Sequence, residues 1–481
     1  MTALASGGGF ATINEMPLIH TRRITQKTVT VGVLPTVFLC IGNRAFASDL
    51  LRTSYIKALV EKFQVIVVLP KSWQGSSDYL VHERITYRFI EEPRGKFWTL
   101  FDTILRSEMI RTFDNNVAVL WRNRRANDRR RRLVGAFARL FPKSFFTPSL
   151  FTAIETYLVP NAGQCRALIQ EFRPVLILVP ATGWHAFDAY FILCARRFGI
   201  PSVAVNPSWD NFTNYPRHLR KTDYVICWNE RNRQEAMAIA GYTPERLFVG
   251  GIMRFDAYFK ESGAVSRAAF LESKGLDPNR KTLLYAAKSH GTFPGDFISS
   301  FLHWQEAGEL HEPLNLLVRM HPVDPMTQYA PFVGKPFVHI ERPSETIRDA
   351  DERSGHKVEM GERDIANMKY TLRHTDICVN ISSTVSIEAM IFGKPVINIG
   401  FVPEFSEILT FPHYRPLIEH HSVVVAQNMD AVRDAINRYL ADPSHEAEGR
   451  AWVLKNMVVP TDGYSYQRGV DFLDTILQHA K

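Results

Sequence analysis

The sequence predicts an α/β protein with two doubly wound, Rossmann-like domains that face one another across a cleft. Short runs that are apolar on both faces alternate with segments of helical spacing along most of the chain. This pattern is typical of parallel sheets covered by helices. The chain has 481 residues, which is too many for one core and suits two or three domains of about 150 residues each. Its content of 46% hydrophobic and 22% charged residues is ordinary for a globular protein.

The first domain is predicted over residues 36–260, after a loose tail at 1–35 that begins with small residues. A β-α-β unit opens this domain, with a strand at Val37–Ile41, a helix at Ser48–Lys62 and a strand at Phe63–Leu69. The alternation then resumes beyond residue 174. Further strands are predicted at Val175–Val179, Ser202–Val205, Tyr224–Trp228 and Arg246–Val249, and further helices at Ala186–Phe198 and Glu230–Ala240.

The second domain is predicted over residues 281–460, after a polar linker at about 260–280. Its strands are predicted at Thr282–Ala286, Leu314–Met320, Phe337–Ile340, Ile377–Ile381 and Val396–Ile399. A helix is expected at about Met429–Leu440. Residues 461–481 form a closing helix, centred on Tyr464–His479.

A basic, helical insertion is predicted at about 91–150. Seven arginines lie within Trp121–Arg132, and an aromatic-rich stretch follows. With a net charge of +8, this arrangement fits contact of Arg122–Arg132 with an anionic membrane surface. A solvated helix face is the commoner outcome for such a run. Nucleic-acid binding is not expected, because no recognised nucleic-acid module accompanies the patch.

The five cysteines predict a reducing compartment. They occur singly, mostly inside apolar segments, and form no CxxC pair, so we interpret them as buried thiols. No apolar run is long enough to span a bilayer, and the N-terminus lacks a signal pattern. We therefore expect a cytoplasmic protein, peripheral to the inner membrane face if the basic segment binds lipid.

The stretch from Asp376 to Phe401 predicts a cradle for nucleotide phosphates. Its two strands are apolar apart from Asn380 and Asn398. Between them lies a hydroxyl-rich turn of Ser382, Ser383 and Thr384, suited to cap a helix whose free N–H groups attract an anion. Glu388 shares a helix face with Thr384 and suits the two hydroxyls of a ribose. The alternative is an ordinary capped helix with a solvent-exposed glutamate.

Two other predicted strand exits in the second domain carry polar side chains. Lys288, Ser289 and His290 follow one strand, and Arg319 and His321 follow the next. Ligands of open parallel sheets bind beyond the carboxyl ends of the strands. The two loops together with the cradle therefore predict a binding site for a diphosphate.

Candidate residues also follow the strands of the first domain. The list is Asn43, Arg44, His185, Trp209, Asp210 and Asn211. These residues are expected on the acceptor side of the same cleft. Asp210 and His185 are the candidates for a catalytic base, although an Asp-Asn pair in a turn more often makes local hydrogen bonds.

Four blocks resemble GT-B glycosyltransferases of bacterial surface-polysaccharide synthesis, the broad group that also holds the CDP-glycerol glycerophosphotransferases. The blocks are NPSWDNFTN at 206–214, the segment 225–259, VRMHP at 318–322 and the cradle. The resemblance covers roughly Val175 to Val402, and each motif alone is weak. Asp462-Gly463 and Arg468 resemble the closing helix of the group.

The resemblance implies a nucleotide diphosphate-sugar donor in the second domain and a glycan or lipid-linked acceptor in the first. Arg319 and His321 would meet the donor phosphates, Ser382–Thr384 the diphosphate and Glu388 the ribose. His321 would also help catalysis, since cations that face the departing diphosphate lower the barrier without a metal. No cofactor is expected besides the donor. We interpret the one Asp-x-Asp triplet, Asp349–Asp351, as solvated.

Departures from the group's patterns rank the alternatives. The loop at Lys288–Gly291 lacks the Pro-Thr often seen in the glycerophosphotransferases, so sugar transfer is preferred over glycerophosphate transfer. A nucleotide-sugar 2-epimerase shares the fold, but the loop GNRAFAS after the first strand does not resemble its opening Gly-Thr-Arg-Pro-Glu. A catalytically silent nucleotide-binding scaffold is a further alternative. The sugar, the base, the acceptor and the stereochemical outcome are open at this stage.

Overall fold

The structure of the protein is a computed structural model. It describes residues 34–76, 78–93, 95–96, 98–100, 148–159, 162–182, 185–205, 208–213, 220–260, 265–288, 293–322, 324–343, 347–348 and 358–479. The predictions for Arg122–Arg132, Ser289, His290 and Asp349–Asp351 lie outside these residues.

Two parallel sheets organise the described residues, which confirms the predicted α/β class. The strands of the first sheet are β1 (Thr36–Cys40), β2 (Gln64–Pro70), β3 (Ile85–Ile90), β4 (Leu176–Val179), β5 (Ser202–Val205), β6 (Tyr224–Cys227) and β7 (Leu247–Val249). They pair in the order β3-β2-β1-β4-β5-β6-β7, and every pairing is parallel. The carboxyl ends of these strands therefore lie along one edge of the sheet.

The second sheet repeats this architecture. Its strands are β8 (Thr282–Ala286), β9 (Asn315–Arg319), β10 (Val338–Glu341), β13 (Ile377–Asn380), β14 (Val396–Ile399) and β15 (Val424–Ala426). They pair in parallel in the order β10-β9-β8-β13-β14-β15. A short antiparallel hairpin of β11 (Ile347–Arg348) and β12 (Val358–Glu359) follows β10.

Helices cover both sheets. In chain order they are α1 (Arg44–Leu51), α2 (Ser54–Lys62), α3 (Pro148–Leu158), α4 (Ala162–Phe172), α5 (Ala186–Phe198), α6 (Glu230–Ala238), α7 (Asp256–Phe259), α8 (Arg267–Ser273), α9 (Phe293–Glu306), α10 (Glu362–His374), α11 (Val385–Ile391), α12 (Pro403–Ser406), α13 (Arg415–Glu419), α14 (Met429–Ala441), α15 (Ala447–Met457) and α16 (Ser465–His479). Among the described residues, no helix has the length and apolar character needed to cross a bilayer.

The local structure differs from the predictions in several places, among them β3 and β15, which were not predicted. The single helix predicted at Ser48–Lys62 is two helices, because Thr53 has an extended backbone and its side chain caps α2 by accepting from the N–H of Tyr55. The predicted linker contains α8, which Ser266 caps by accepting from the N–H of Ala269. The domain boundaries at about 260 and 281 remain predictions.

Alternate residues of the central strand β1 enter cores on opposite faces of the first sheet. Val37 and Leu39 belong to one core and Phe38 and Cys40 to the other. This is the period-2 burial of a strand that is covered on both faces. All five cysteines are buried and unpaired.

The closing helix α16 packs on the first sheet, although it follows the second sheet in the chain. Val470 and Leu473 are completely buried in the same core as Val37 and Leu39, and the ring of Phe472 stacks on Phe248 with 4.5 Å between centroids. The carboxylate of Asp256 caps this helix by accepting from the N–H groups of Ser465 and Tyr466 at 3.0 and 2.8 Å.

A buried carboxylate ties the hairpin that follows β10 to the first sheet's helices. Glu359 in β12 is 0% exposed and accepts hydrogen bonds from Arg44 at 3.2 Å, Arg52 at 3.0 Å and Tyr79 at 3.0 Å. The next residue, Met360, donates its N–H to the Ser48 hydroxyl at 2.8 Å. Since both Arg44 and Glu359 are buried, either charge would destabilise the folded protein if its partner were removed.

We expect Glu359→Ala to destabilise the protein by about 3–5 kcal/mol, because it leaves the buried guanidinium of Arg44 without its carboxylate. The measurement is the free energy of unfolding in urea. Glu91→Ala is the control, since the Lys71–Glu91 pair is exposed and its loss should cost less than about 1 kcal/mol. Equal effects of the two substitutions on the free energy of unfolding would contradict the stabilising role proposed for the Arg44–Glu359 pair.

Candidate functional site

Three polar loops of the second sheet lie side by side, as the sequence predicts. The strands β9, β8 and β13 are neighbours in the sheet, and their carboxyl ends lead into His321, Lys288 and Ser382 respectively. Parallel pairing in register brings these ends to one edge of the sheet. The cradle predicted at Ser382–Thr384 therefore has an ammonium group and an imidazole on the adjoining strand exits.

Ser382 has a strained backbone and an unpaired hydroxyl. Its φ angle is +45°, a conformation in which a non-glycine residue is uncommon and which costs of the order of 1 kcal/mol. The residue is 7% exposed, and its hydroxyl has no hydrogen-bond partner among the described residues. Buried polar atoms are nearly always paired, so this hydroxyl is suited to a ligand.

A buried polar network holds the turn in this conformation. Asn380 and Asn398 are partners in the register of β13 and β14. The side-chain oxygen of Asn380 accepts from the Ser383 N–H at 3.0 Å, from the Ser386 hydroxyl at 3.1 Å and from the Asn398 amide at 3.1 Å. The Tyr414 hydroxyl donates to Asn398. The two asparagines that interrupt the apolar strands thus fix the start of α11.

The three hydroxyl residues predicted to cap α11 play different roles. Thr384 holds the N-cap position, but its backbone is already helical and its side chain caps nothing. An N-cap side chain needs an extended backbone to reach the first free N–H groups. The Ser383 hydroxyl accepts instead from the Val385 N–H at 3.4 Å. Since α11 has only seven residues, the helix dipole alone does not support an anion site here.

Glu388 is buried, so the alternative of a solvent-exposed glutamate is wrong. It is 2% exposed and accepts from Arg254 at 3.2 Å and from the Tyr258 hydroxyl at 2.6 Å. The Arg254 guanidinium also lies 3.7 Å from the carboxylate of Asp49 in α1. Burial raises the pKa of Asp49 to about 6, against the opposing effect of Arg254. Glu388 is therefore held by two donors one turn beyond Thr384.

Arg319 is committed to an ion pair within the sheet. Its guanidinium donates to Glu341, its register partner in β10, and both residues are buried. Burial alone would raise the pKa of Glu341, but Arg319 and Lys274 together hold it below its ordinary value. The expected contact of Arg319 with donor phosphates has no support from this placement.

Lys288 and His321 are the other predicted site residues that the structure describes at these two strand exits. The Lys288 ammonium lies 4.1 Å from the ring centroid of Phe405. Burial lowers the pKa of His321, the Asp324 carboxylate opposes this, and the Lys288 charge lowers it further. The histidine is therefore mostly neutral at neutral pH, and Lys288 supplies the positive charge.

Asn43 and His185 meet at the edge of the first sheet, as predicted. The side-chain oxygen of Asn43 caps α1 by accepting from the Ala45 N–H at 2.9 Å, and its amide nitrogen lies 3.4 Å from His185 Nε2. Arg44 points elsewhere, into the pair with Glu359, and its guanidinium lies 4.1 Å from the Trp73 ring centroid. Because Arg44 is 1% exposed, its placement does not support an acceptor contact.

The loop that follows β5 packs against the second sheet's side of the cleft. Trp209 and Asn211 are buried, and the Trp209 ring meets His413 and Tyr414 edge-on at 5.1 and 5.6 Å between centroids. Asp210 is half-buried and accepts from the Ser208 hydroxyl, the local bond that turns of this kind usually contain. Trp209 thus connects the loop that follows β5 to Tyr414 of the polar network.

His413 is a site residue that the sequence analysis did not identify. It is 5% exposed, and its Nδ1 lies 2.9 Å from the hydroxyl of Thr213 across the cleft. Burial lowers the pKa of His413 to about 4, the Asp210 carboxylate opposes this shift, and Arg231 and Lys288 add to it. No strand ends near residue 413, so the pattern of polar residues after predicted strands does not include it.

The described residues contain no group of three or more His, Cys, Asp or Glu side chains arranged to hold a metal ion. Metal-independent chemistry stays a prediction.

We expect Tyr414→Phe to destabilise the protein by about 1–3 kcal/mol, because it leaves the buried oxygen of Asn398 without its donor. Tyr55→Phe is a matched control. Tyr55 is equally buried, but its hydroxyl has no partner among the described residues, so its loss should be neutral or slightly stabilising. Urea unfolding measures both, and a similar cost for the two variants would disprove the role of the network.

The lowered pKa of His413 predicts an acid-dependent loss of stability. The unfolded chain binds this proton below about pH 6.5, whereas the folded protein resists it down to about pH 4. The stabilisation is therefore complete above pH 6.5 and falls by about 1.4 kcal/mol per pH unit as the pH drops toward 4. Urea unfolding of the wild type and His413→Asn at several pH values tests this, and parallel curves below pH 6.5 would refute it.

The comparisons with known proteins support the architecture. No protein-family model and no curated protein matches the sequence. A structure of S. aureus MnaA with UDP has 14% identity, covers 93% of this chain and 98% of its own, and has a TM-score of 0.51. The putative UDP-N-acetylglucosamine 2-epimerase of Listeria monocytogenes has 14% identity, coverages of 93% and 97%, and a TM-score of 0.52.

A third similar structure is the UDP-GlcNAc 2-epimerase of Methanocaldococcus jannaschii in complex with UDP-GlcNAc and UDP. It has 12% identity, covers 92% of this chain and 99% of its own, and has a TM-score of 0.50. At such identities the likeness concerns the fold alone. Together with the two parallel sheets, it shows that the chain has the GT-B fold.

Proposed function

We propose that the protein is a glycosyltransferase that moves a sugar from a nucleoside diphosphate-sugar to a surface-polysaccharide or lipid-linked glycan acceptor. The observation that carries this proposal is Ser382. Its backbone is strained, its buried hydroxyl has no hydrogen-bond partner among the described residues, and it lies at the strand exit next to that of Lys288. A turn held in this way is suited to the oxygen atoms of a diphosphate.

The donor would lie along α11 and the neighbouring strand exits. The Ser382 and Ser383 hydroxyls and the Lys288 ammonium would bind the diphosphate, and the Glu388 carboxylate would accept from the ribose. Negative charge grows on the diphosphate as the bond to the sugar breaks. A fixed cation and fixed hydroxyl donors at that point stabilise the transition state.

Asp210 is the preferred candidate for the base that takes the acceptor's proton. Its carboxylate and the Lys288 ammonium act on the same imidazole, His413, which indicates that it lies near the proposed diphosphate site. His185, beside Asn43, is the second candidate. In either case the acceptor hydroxyl would lose its proton to the base as its oxygen bonds to the sugar and the diphosphate leaves.

Epimerisation of a nucleotide-sugar is the second candidate function. Two of the similar structures are the putative UDP-N-acetylglucosamine 2-epimerase of Listeria monocytogenes and the UDP-GlcNAc 2-epimerase of Methanocaldococcus jannaschii, and the latter contains UDP-GlcNAc. The two functions differ in their products. Transfer releases the nucleoside diphosphate, whereas epimerisation leaves it attached to the sugar, so chromatography of the nucleotides after incubation with UDP-GlcNAc separates the two.

A ligand screen with Ser382→Gly tests the proposed site. Glycine adopts a positive φ without strain, so this variant should be as stable as the wild type or more so. It should nevertheless bind the diphosphate about tenfold more weakly, because a hydrogen bond to a charged group is lost. Thermal shifts with UDP, CDP, GDP and their sugar conjugates measure both effects, since a ligand bound only by the folded state raises the midpoint.

Ser406→Ala is the control for this screen. Its hydroxyl donates only to the Pro403 carbonyl on the surface, and its loss should leave the shifts unchanged. If no nucleotide stabilises the wild type, the enzyme proposal fails, and so does the alternative of a nucleotide-binding scaffold. If a nucleotide binds equally well to Ser382→Gly, the donor site lies elsewhere.

A further inference from the structure

His413 connects the two sides of the cleft. It lies between α12 and α13 of the second sheet's layer, and its hydrogen-bond partner, Thr213, lies in the loop that follows β5 of the first sheet. The neighbouring residue, Pro412, is fixed from the same side, because its carbonyl accepts from Arg231 of α6 at 2.9 Å. The imidazole is therefore held in place by groups from both halves of the molecule.

The hydrogen bonds of Thr213 assign the protons of the imidazole. A threonine hydroxyl has one proton, and it donates to the backbone carbonyl of Asp210 at 3.3 Å. When the proton is donated to that carbonyl, the same oxygen accepts from Nδ1–H of His413 at 2.9 Å, and the proposal below takes this arrangement. Because burial keeps the ring neutral at physiological pH by lowering its pKa, Nε2 has a lone pair and no proton.

Nε2 has no hydrogen-bond partner among the described residues, and His413 is 5% exposed. The ring has aromatic neighbours, with Trp209 and Phe411 edge-on at 5.1 and 5.8 Å between centroids. Lys288 and Asp210 both act on it electrostatically. An acceptor nitrogen is thus held among aromatic rings near the residues proposed to bind the diphosphate and to take the acceptor's proton.

An imidazole nitrogen without a proton can accept a hydrogen bond but cannot donate one, so it favours ligand groups that are donors. A phosphate oxygen is itself an acceptor and would face the lone pair without a proton between them, whereas a sugar hydroxyl can donate. Aromatic side chains with a few placed polar groups are the usual lining of small-molecule sites. The part of a nucleotide-sugar that suits this position is the sugar beyond the diphosphate.

We propose that His413 is a substrate-contacting residue whose Nε2 accepts a hydrogen bond from a hydroxyl of the transferred sugar. This inference rests on the proposed function, since it requires a nucleoside diphosphate-sugar in the cleft. It adds a contact to the sugar that depends on both halves of the molecule. His413 itself belongs to the second sheet's layer, and Thr213 of the first sheet's layer orients its ring.

The test compares a nucleoside diphosphate with its sugar conjugate in two histidine variants. The side-chain amide of His413→Asn can replace Nδ1 and keep the Thr213 contact, whereas that of His413→Gln can replace Nε2. Calorimetry with UDP and UDP-GlcNAc, or with the pair that gives the largest thermal shift, measures the affinities. We expect His413→Asn to bind the diphosphate as the wild type does and the conjugate about tenfold more weakly, the loss of one hydrogen bond.

His413→Gln should recover most of the affinity for the conjugate, and Thr213→Val, which retains the imidazole, should lose less than His413→Asn. Unchanged affinity of His413→Asn for the conjugate would overturn the inference and leave the proposed function intact. Equal losses for the diphosphate and the conjugate would also overturn it, because the contact would not then be with the sugar. Failure of the wild type to bind any of these ligands would remove the proposed function and this inference with it.

Discussion

The candidate site depends on the side-chain oxygen of Asn380. It accepts three hydrogen bonds at 3.0–3.1 Å, and these join two strands, the turn between them and the first residues of α11. In a buried, weakly polar environment each of these groups would be costly without its partner. The network therefore favours one conformation of the turn, in which Ser382 keeps its unfavourable φ angle.

The sequence was sufficient to predict those strands and helices that depend only on the local pattern of apolar and polar residues. Apolar runs such as Thr282–Ala286 and Val396–Ile399 are strands with the predicted bounds, because a strand buried on both faces has few polar residues to obscure its limits. The grouping of Lys288, His321 and Ser382 also followed, since parallel strands place their exits at one edge. The polar exceptions in the strands, Asn380 and Asn398, were visible in the sequence, but their pairing required the register.

The contacts that sequence reasoning missed join residues far apart in the chain. Arg319 looked available for phosphate, but Glu341 on the neighbouring strand neutralises it. Arg44 followed a strand exit, but its partner Glu359 comes 315 residues later. His413 follows no strand and acquires its environment from Thr213 and Trp209 of the other half. In each case a side chain's chemistry is decided by tertiary packing, which spacing and composition do not record.

The position of α16 bears on how the protein folds during its synthesis. Residues 465–479 are the last described helix, yet Val470 and Leu473 complete the core around β1. While the ribosome still holds these residues, the first sheet has an uncovered apolar face, and the second sheet emerges before that face can close. Domains usually fold as units in order of synthesis. This chain instead completes its first core only after residues 465–479 have left the ribosome, and until then the apolar face is exposed to chaperones.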